Sequence, residues 1–273
     1  MLPVNMHKDE DQQGWLNLAP GLTIDSSGSP PPLAFNEADR DRTAIRLHNE
    51  GYFQLPPVFT EAELAPIRDT LMCFRAQRVP PVYIYLYDQP WHLFHRLTQL
   101  VGHFLGDKFG ILPNLWAWHL ATPGEAGWPP HRDCDADTVF DIGGDRILMS
   151  LSLWVPLTDT APENGCMYVL PRTVQPGPEG QDLTQGVALP ARAGSVLGWT
   201  QDLYHWGGAY TAEASGPRLS LSLEFQNRAF EPLIEPLLDF SKLPPFGQRL
   251  ALIDAQFAKY NHIDRQLPNL DEL

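Results

Sequence analysis

Apolar residues recur along this chain with two different periods, and the change between them falls near residue 111. Up to that point the period is helical. Asn36 is placed to cap a helix with an acidic first turn, Glu37 and Asp39, that stops at Gly51. YFQL at 52–55 reads as a short strand. Thr60 and Glu63 then form a capping box, and Leu64, Ile67, Leu71 and Phe74 fall on one face of the helix behind it. A third helix is predicted over roughly residues 90–105 from Leu93, Leu97, Leu100, Val101 and Phe104, with Gly106 as its stop. His92, His95 and His103 fall on it and read as surface or core-edge residues.

From 111 onward the pattern alternates. LPNLWAWHLAT, RILMSLSLWVPL, CMYVLP, SVLGWT and RLSLSLEFQ are short β-like runs divided by Gly, Pro and Asp turns. In RLSLSLEF the residues Leu219, Leu221, Leu223 and Phe225 share one face, and Arg218, Ser220, Ser222 and Glu224 the other. A barrel can turn such a polar face into a ligand cavity. The run GQRLALIDAQFAKY returns to helical spacing, with Leu250, Ile253, Phe257 and Tyr260 predicted to cover one sheet. Residues 1–35 read as an irregular arm, because SSGSPPP at 26–32 can form neither helix nor interior strand. Two readings stand for it: a tail, or an arm lying over the site or a neighbouring subunit. Residues 36–273 then form a single domain.

Composition changes this picture in three ways. Hydrophobic residues at 43% and aromatics at 11% are ample for a buried core. A net charge of −14 disfavours nucleic acid and anionic membrane as partners, since both attract basic surfaces. The three cysteines, Cys73, Cys134 and Cys166, form no C-x-x-C pair, so a disulfide framework is not expected and a cytoplasmic location fits. No run approaches the length of a membrane span, and a small molecule is the expected partner.

The candidate chemistry lies in His131-Arg132-Asp133, followed downstream by His205 and Arg218. Two histidines and a carboxylate leave one face of a six-coordinate metal open, the arrangement used by non-heme Fe(II) oxygenases. An arginine can hold the far carboxylate of a dicarboxylate such as 2-oxoglutarate in a bidentate pair, and Ser220 on the same strand face adds a hydroxyl. The H-x-D spacing also occurs at His7-Lys8-Asp9 and His262-Ile263-Asp264. His7 lies in a polar tail and His262 near the chain end with no histidine after it, so His131 is the copy with a scaffold. Asp135, Asp137 and Asp141 read as a solvated loop, since no Gly-centred calcium loop with a terminal Glu follows. Trp116, Trp118, Trp128, Trp199 and Trp206 surround the motif segments, either as a pocket for apolar or ring-bearing ligands or as barrel core.

NEGYFQLPPVFTEAELAPIRDTL, WPPHRDCD, LSLWVPLTDTAPENGCMYVLP, and AGSVLGWTQDLYHWGG with GPRLSLSLEF resemble, in order and spacing, segments of the phytanoyl-CoA dioxygenase family. The resemblance covers about residues 45–230. It implies a mainly β fold with flanking helices: a double-stranded β-helix, the cupin-like jelly roll. It implies His131, Asp133 and His205 as iron ligands, and Arg218 and Ser220 as the 2-oxoglutarate clamp, with Ser152 and Trp118 as further co-substrate positions. Trp128 and His119 are candidate substrate contacts. The implied cofactors are Fe(II), 2-oxoglutarate and O2, and the implied reaction is hydroxylation of an unactivated C–H bond with release of succinate and CO2. Related halogenases lack the carboxylate that Asp133 supplies. The chain departs from the family after its ENG turn, where Pro171-Arg172-Thr173-Val174 replaces a Pro-Gly-Ser-His segment. A coenzyme A ester is therefore not implied as substrate, and Arg172 becomes a candidate substrate contact. Two rivals remain: a metal-dependent cupin-like isomerase or hydrolase, and a non-catalytic ligand-binding barrel.

The choice among the three H-x-D copies is testable. Asp9→Ala and Asp264→Ala are expected to leave metal affinity within about threefold of wild type, because neither carboxylate has a barrel scaffold to aim it. Titration with Fe(II) or Co(II) reads this directly, and loss of the site in either variant would refute the choice of His131.

Overall fold

The computed structural model describes residues 12–174, 180 and 182–260. Its helices are α1 (Gln12–Leu18), α2 (Glu37–Glu50), α3 (Glu61–Ala76), α4 (Asp88–Arg96), α5 (Thr98–Leu105) and α6 (Phe246–Tyr260). The strands are β1 (Tyr52–Leu55), β2 (Phe109–Leu120), β3 (Val139–Ile142), β4 (Asp145–Leu148), β5 (Ser150–Pro156), β6 (Met167–Val169), β7 (Val187–Leu189), β8 (Val196–Thr200), β9 (His205–Gly207) and β10 (Arg218–Asn227). The local signals act as expected at several ends. The Asn36 side chain accepts from the Asp39 amide, and Gly51 ends α2 in a left-handed conformation at φ 85°. Glu63 accepts from both the amide and the hydroxyl of Thr60.

Two expectations change. The predicted third helix is two helices, α4 and α5, because the Leu97 amide bonds to Phe94 and the Thr98 hydroxyl caps the His95 carbonyl. The apolar spacing continues across this break, and Leu93, Leu97, Leu100 and Val101 are all buried. RILMSLSLWVPL likewise splits, at Met149, into β4 and β5.

Antiparallel pairing builds a five-stranded sheet in the order β1-β8-β5-β10-β2, a three-stranded sheet in the order β7-β6-β9, and a β3-β4 hairpin. Register fixes which side chains share a face. Ser220 lies between Trp118 and Pro156, Ser222 between Trp116 and Trp154, and Glu224 opposite Ser152. Ser152 in turn pairs with Trp199. This polar and aromatic face looks inward. The other face of β10, Leu219, Leu221, Leu223 and Phe225, is fully buried. It meets the helical layer, where Phe94 packs on Phe225 and the Tyr85 hydroxyl donates to the Ser222 carbonyl. Each such apolar side chain contributes about 1.5–3 kcal/mol when buried. The fold is thus mainly β with flanking helices, a jelly roll with its helices on one sheet.

Within the described part of the expected arm, residues 12–35, one helix forms and packs on the helical layer. Within it α1 places Trp15 flat against Tyr83, with ring centroids 5.0 Å apart, and the Tyr87 hydroxyl donates to the Trp15 carbonyl. Further along, Asp88 accepts from the Thr23 hydroxyl and from the amide and hydroxyl of Ser26, and pairs with Arg249 of α6 at 2.7 Å. Residues 23–26 and α6 are therefore held by one buried carboxylate. No helix of the described residues is long and apolar enough to cross a membrane.

Burial alone would raise the pKa of Asp88, but the Ser26 and Thr23 donors and the Arg249 charge outweigh it and hold it below the usual carboxylate value. A depressed folded pKa gives stability that is present above the ordinary carboxylate range and lost as pH falls through the folded value. Asp88→Ala is expected to cost about 3–5 kcal/mol in urea unfolding at neutral pH, because it leaves Arg249 buried without its partner. The wild-type advantage over this variant should shrink below about pH 4.

Candidate metal centre

His131 and His205 belong to segments far apart in sequence that a pair of backbone hydrogen bonds brings together. The His131 amide donates to the His205 carbonyl at 3.1 Å, and the His205 amide returns the bond at 3.0 Å. The neighbouring chain continues the contact, with the Gly207 amide donating to Trp128 and the Gly127 amide to Gly208. The approach needs glycine at two places. A Cβ on Gly207 would lie 2.6 Å from the Gly127 Cα and 2.9 Å from Nη1 of Arg218, and a Cβ on Gly127 would strike Gly207 in the same way. The H-x-D motif is therefore not a regular strand: His131 forms a single bridge and Asp133 lies in the bend after it.

Each ligand presents one defined atom. Nδ1 of His131 lies 2.7 Å from the Pro129 carbonyl, and Nδ1 of His205 lies 3.0 Å from the Leu203 carbonyl. A carbonyl can only accept, so both Nδ1 atoms carry a proton, and in the neutral ring each Nε2 keeps a lone pair. Against burial, the Asp133 carboxylate raises the His131 pKa. Oδ2 of Asp133 accepts from the Ser152 hydroxyl at 2.6 Å and from Nε1 of Trp199 at 3.1 Å. Oδ1 is thereby turned toward the histidines and lies 3.5 Å from each Nε2. The three candidate ligand atoms fall within 4.8 Å of one another. Cis ligands about 2.1 Å from a common ion would lie about 3 Å apart, close to the spacing seen. Among the described residues, the nearest polar partner of buried Nε2 of His131 is Oδ1 of Asp133 at 3.5 Å.

The electrostatics agree with a cation site. Burial pushes the His205 pKa down to about 4, so its imidazole is neutral and able to ligate. Burial opposes ionisation of Asp133, but His205, His131 and the Ser152 hydroxyl outweigh it and hold its carboxyl well below the usual range. Burial, with the Asp133 charge beside it, pushes Glu224 up to about 8.

A cavity opens from these candidate ligands into the barrel, walled by Trp116, Trp118, Trp128, Trp154, Trp199 and Tyr260, with Arg218 and Glu224 as its further ionisable residues. Arg218 is fully buried, and its guanidinium carbon lies 5.6 Å from the Trp118 ring centre and 5.7 Å from that of Trp154. Its Nη1 donates to the Gly165 carbonyl. The Ser220 hydroxyl on the same strand face is buried without a hydrogen bond among the described residues, as are the indole nitrogens of Trp118, Trp128 and Trp154. This end of the barrel is rich in donors.

Of the ten residues picked out from the sequence, seven line this cavity: His131, Asp133, His205, Arg218, Ser152, Trp118 and Trp128; Ser220 lies behind it, between Trp118 and Pro156 on the same strand face. Ser152 holds the Asp133 carboxylate itself. The remaining two do not reach the cavity. His119 neighbours Trp118 on β2, and alternate residues of a strand face opposite ways. Its ring meets the Leu71 carbonyl of α3, and burial lowers its pKa to about 4. Arg172 forms a bidentate pair with Asp202 and donates to the Thr200 hydroxyl, which braces the end of β8. Residues without an assigned role in the sequence reading include Trp154, Tyr260, Asn114, Gln201 and Glu224. The inward face of β10 was the available signal for Glu224. The other two H-x-D copies lie outside the described residues.

Comparison with known proteins can now be set beside this geometry. The phytanoyl-CoA dioxygenase (PhyH) family profile matches residues 87–218, a span that begins at α4 and ends on Arg218. No curated protein matches. Among solved structures, the non-heme monooxygenase ThoJ, as its nickel complex, superposes with a TM-score of 0.58 at 18% identity, over 81% of this chain and 97% of that one. The epimerase SnoN, in complex with Fe3+, alpha-ketoglutarate and nogalamycin RO, gives 0.53 at 19% identity, over 77% and 96%. The alpha-ketoglutarate-dependent carbocyclase SnoK from nogalamycin biosynthesis gives 0.54 at 14% identity, over 74% and 87%. At these identities the superpositions establish the shared fold. The profile match agrees with them: residues 87–218 of this chain are similar to the phytanoyl-CoA dioxygenase (PhyH) domain.

Proposed function

We propose that this chain is an Fe(II)- and 2-oxoglutarate-dependent oxygenase that hydroxylates an unactivated C–H bond of a small molecule. The observation that carries the reading is the convergence of two Nε2 atoms and one carboxylate oxygen, each aimed by its own hydrogen bonds, at the head of a cavity that holds a buried arginine. His131, Asp133 and His205 would hold the metal on one face and leave the other open. Bound Fe(II) and 2-oxoglutarate supply the oxidising chemistry: the keto acid loses CO2 to give succinate as O2 is reduced, and one oxygen atom goes to the substrate carbon.

The chain's own residues bind, aim and exclude. Arg218 offers parallel donors to the far carboxylate of the co-substrate, flanked by the Trp118 and Trp154 rings. Ser220 and the unpartnered indole N–H groups supply further donors to an oxygen-rich ligand. Trp128 and Tyr260, with ring centres 4.3 Å apart, close the wall on the α6 side and keep water from the reacting centre. Their apolar faces suit a substrate with an apolar or ring-bearing body.

The similar structures include a monooxygenase, an epimerase and a carbocyclase. Hydroxylation is distinguished from those outcomes by labelling. With 18O2 and an accepted substrate, a hydroxylase places one label in succinate and one in the product. Label in succinate alone would move the assignment to epimerisation, desaturation or ring closure on the same centre.

Two expected outcomes test the site. The anaerobic Fe(II) protein should develop a weak visible charge-transfer band on adding 2-oxoglutarate, and His131→Ala, Asp133→Ala or His205→Ala should each abolish it. Arg218→Ala should weaken 2-oxoglutarate binding by about a hundredfold or more while metal binding survives, since about 3–5 kcal/mol is lost when one partner of a buried charged pair is removed. Arg218→Lys should recover only part, because an ammonium lacks the paired fork. Wild-type affinity in Arg218→Ala would place the clamp elsewhere and favour the isomerase or hydrolase rival.

A further inference from the structure

Beside the candidate metal ligands runs a chain of polar side chains, from exposed Lys259 through half-buried Glu224 into the barrel, that the proposed reaction does not by itself require. Lys259 of α6 donates to Oδ1 of Asn114 at 2.8 Å, and Nδ2 of Asn114 donates to Oε2 of Glu224 at 2.7 Å. The same Oε2 accepts from Nε2 of Gln201 at 2.7 Å. That nitrogen also lies 3.4 Å from the Ser152 hydroxyl, which donates to Oδ2 of Asp133 at 2.6 Å. The series ends on a candidate metal ligand.

Gln201 occupies the centre of this arrangement in a second way. Its backbone carbonyl accepts from the amide of Cys134, the residue after Asp133, at 2.9 Å. It lies in the turn between β8 and β9, the turn that leads into His205. One residue therefore grips the Asp133 segment through the main chain, reaches the hydroxyl that orients the Asp133 carboxylate, and borders the strand that delivers His205. Gln201 is buried, and so are Ser152 and Asn114. A carboxyl group among these indoles is costly to bury, and an apolar side chain would fill the space at less expense. The amide of Gln201 has free rotation until something fixes it, and Glu224 is the acceptor that does so.

Resting on the metal-centre reading above, we propose that Gln201, braced by Glu224, is the positioning residue that sets the orientation of Asp133, so that Oδ1 faces the metal and Oδ2 stays with Ser152 and Trp199. Partners of metal ligands of this kind commonly alter metal affinity by 10- to 100-fold when removed. Hydrogen-bond networks act as units, so removing two members together should cost little more than removing one.

The test is titration of the full chain with Co(II), read by its visible d–d spectrum, which reports ligand geometry as well as affinity. Gln201→Leu and Glu224→Leu are each expected to weaken Co(II) binding by about 10-fold or more and to shift the spectrum. Glu224→Gln keeps an acceptor oxygen and should restore affinity to within about threefold of wild type. The double variant Glu224→Leu/Ser152→Ala should bind no more weakly than the worse of its two single variants. If Glu224→Leu does not fold, Gln201→Leu and the rescue by Glu224→Gln carry the test. Unchanged affinity and spectrum in folded Gln201→Leu or Glu224→Leu would overturn the proposal and make Glu224 a group of the substrate wall. Additive losses in the double variant would overturn it too, since they mean independent effects. A wild-type protein that binds Co(II) but shows no spectral response to 2-oxoglutarate would sink the co-substrate reading instead, so the two failures are told apart.

Discussion

The centre depends on two backbone hydrogen bonds exchanged between His131 and His205. Without them the H-x-D segment is a loop and His205 a residue on a short edge strand. The bonds fix the separation of the two imidazoles, and each ring is then turned by a carbonyl two residues before it, from Pro129 and from Leu203. The glycines at 127 and 207 make the same close approach one turn of chain away, where any Cβ would collide with the facing backbone. Arg218 threads past this junction, which is why a buried guanidinium and a metal-ligand set occupy one small volume.

Much of this was legible in the chain itself, for reasons that differ by element. Helix ends were legible because caps are local chemistry: Asn36, Gly51 and the Thr60–Glu63 pair act within a few residues of themselves. The inward face of β10 was legible because strand alternation is strict. The break at Leu97 was not, since the apolar spacing that predicts one helix is the same spacing that buries two. The docking of α1 was hidden as well, because Trp15 packs on Tyr83 and Tyr87, which lie far from it in sequence.

The site shows the same division. His131, Asp133, His205 and Arg218 stood out because metal and carboxylate recognition demand particular residue types in a particular order. His119 could not share a cavity with Trp118, since neighbours on a strand face opposite ways, and alternation alone could have excluded it. Arg172 drew notice for a departure in a loop, yet its charge belongs to Asp202. Gln201 and Asn114 carried no signal of type or spacing, and Glu224 only its place on the inward face of β10. An amide in a turn and a carboxylate on a strand are ordinary, and only the register between β5, β8 and β10 brings them together.

The wall formed by Tyr260 has a consequence for how such a protein can diversify. The ligands and the guanidinium are supplied by strands locked in register, where one change disturbs several neighbours. Tyr260 is supplied by α6, a helix that packs against β2, and its ring meets Trp116 and Trp128 at the chamber wall. Room for a larger or differently shaped molecule can therefore be made by altering the end of one peripheral helix, while His131, Asp133, His205 and Arg218 stay as they are. On the proposed function, selectivity and reactivity would reside on separate pieces of the architecture, each free to drift without the other.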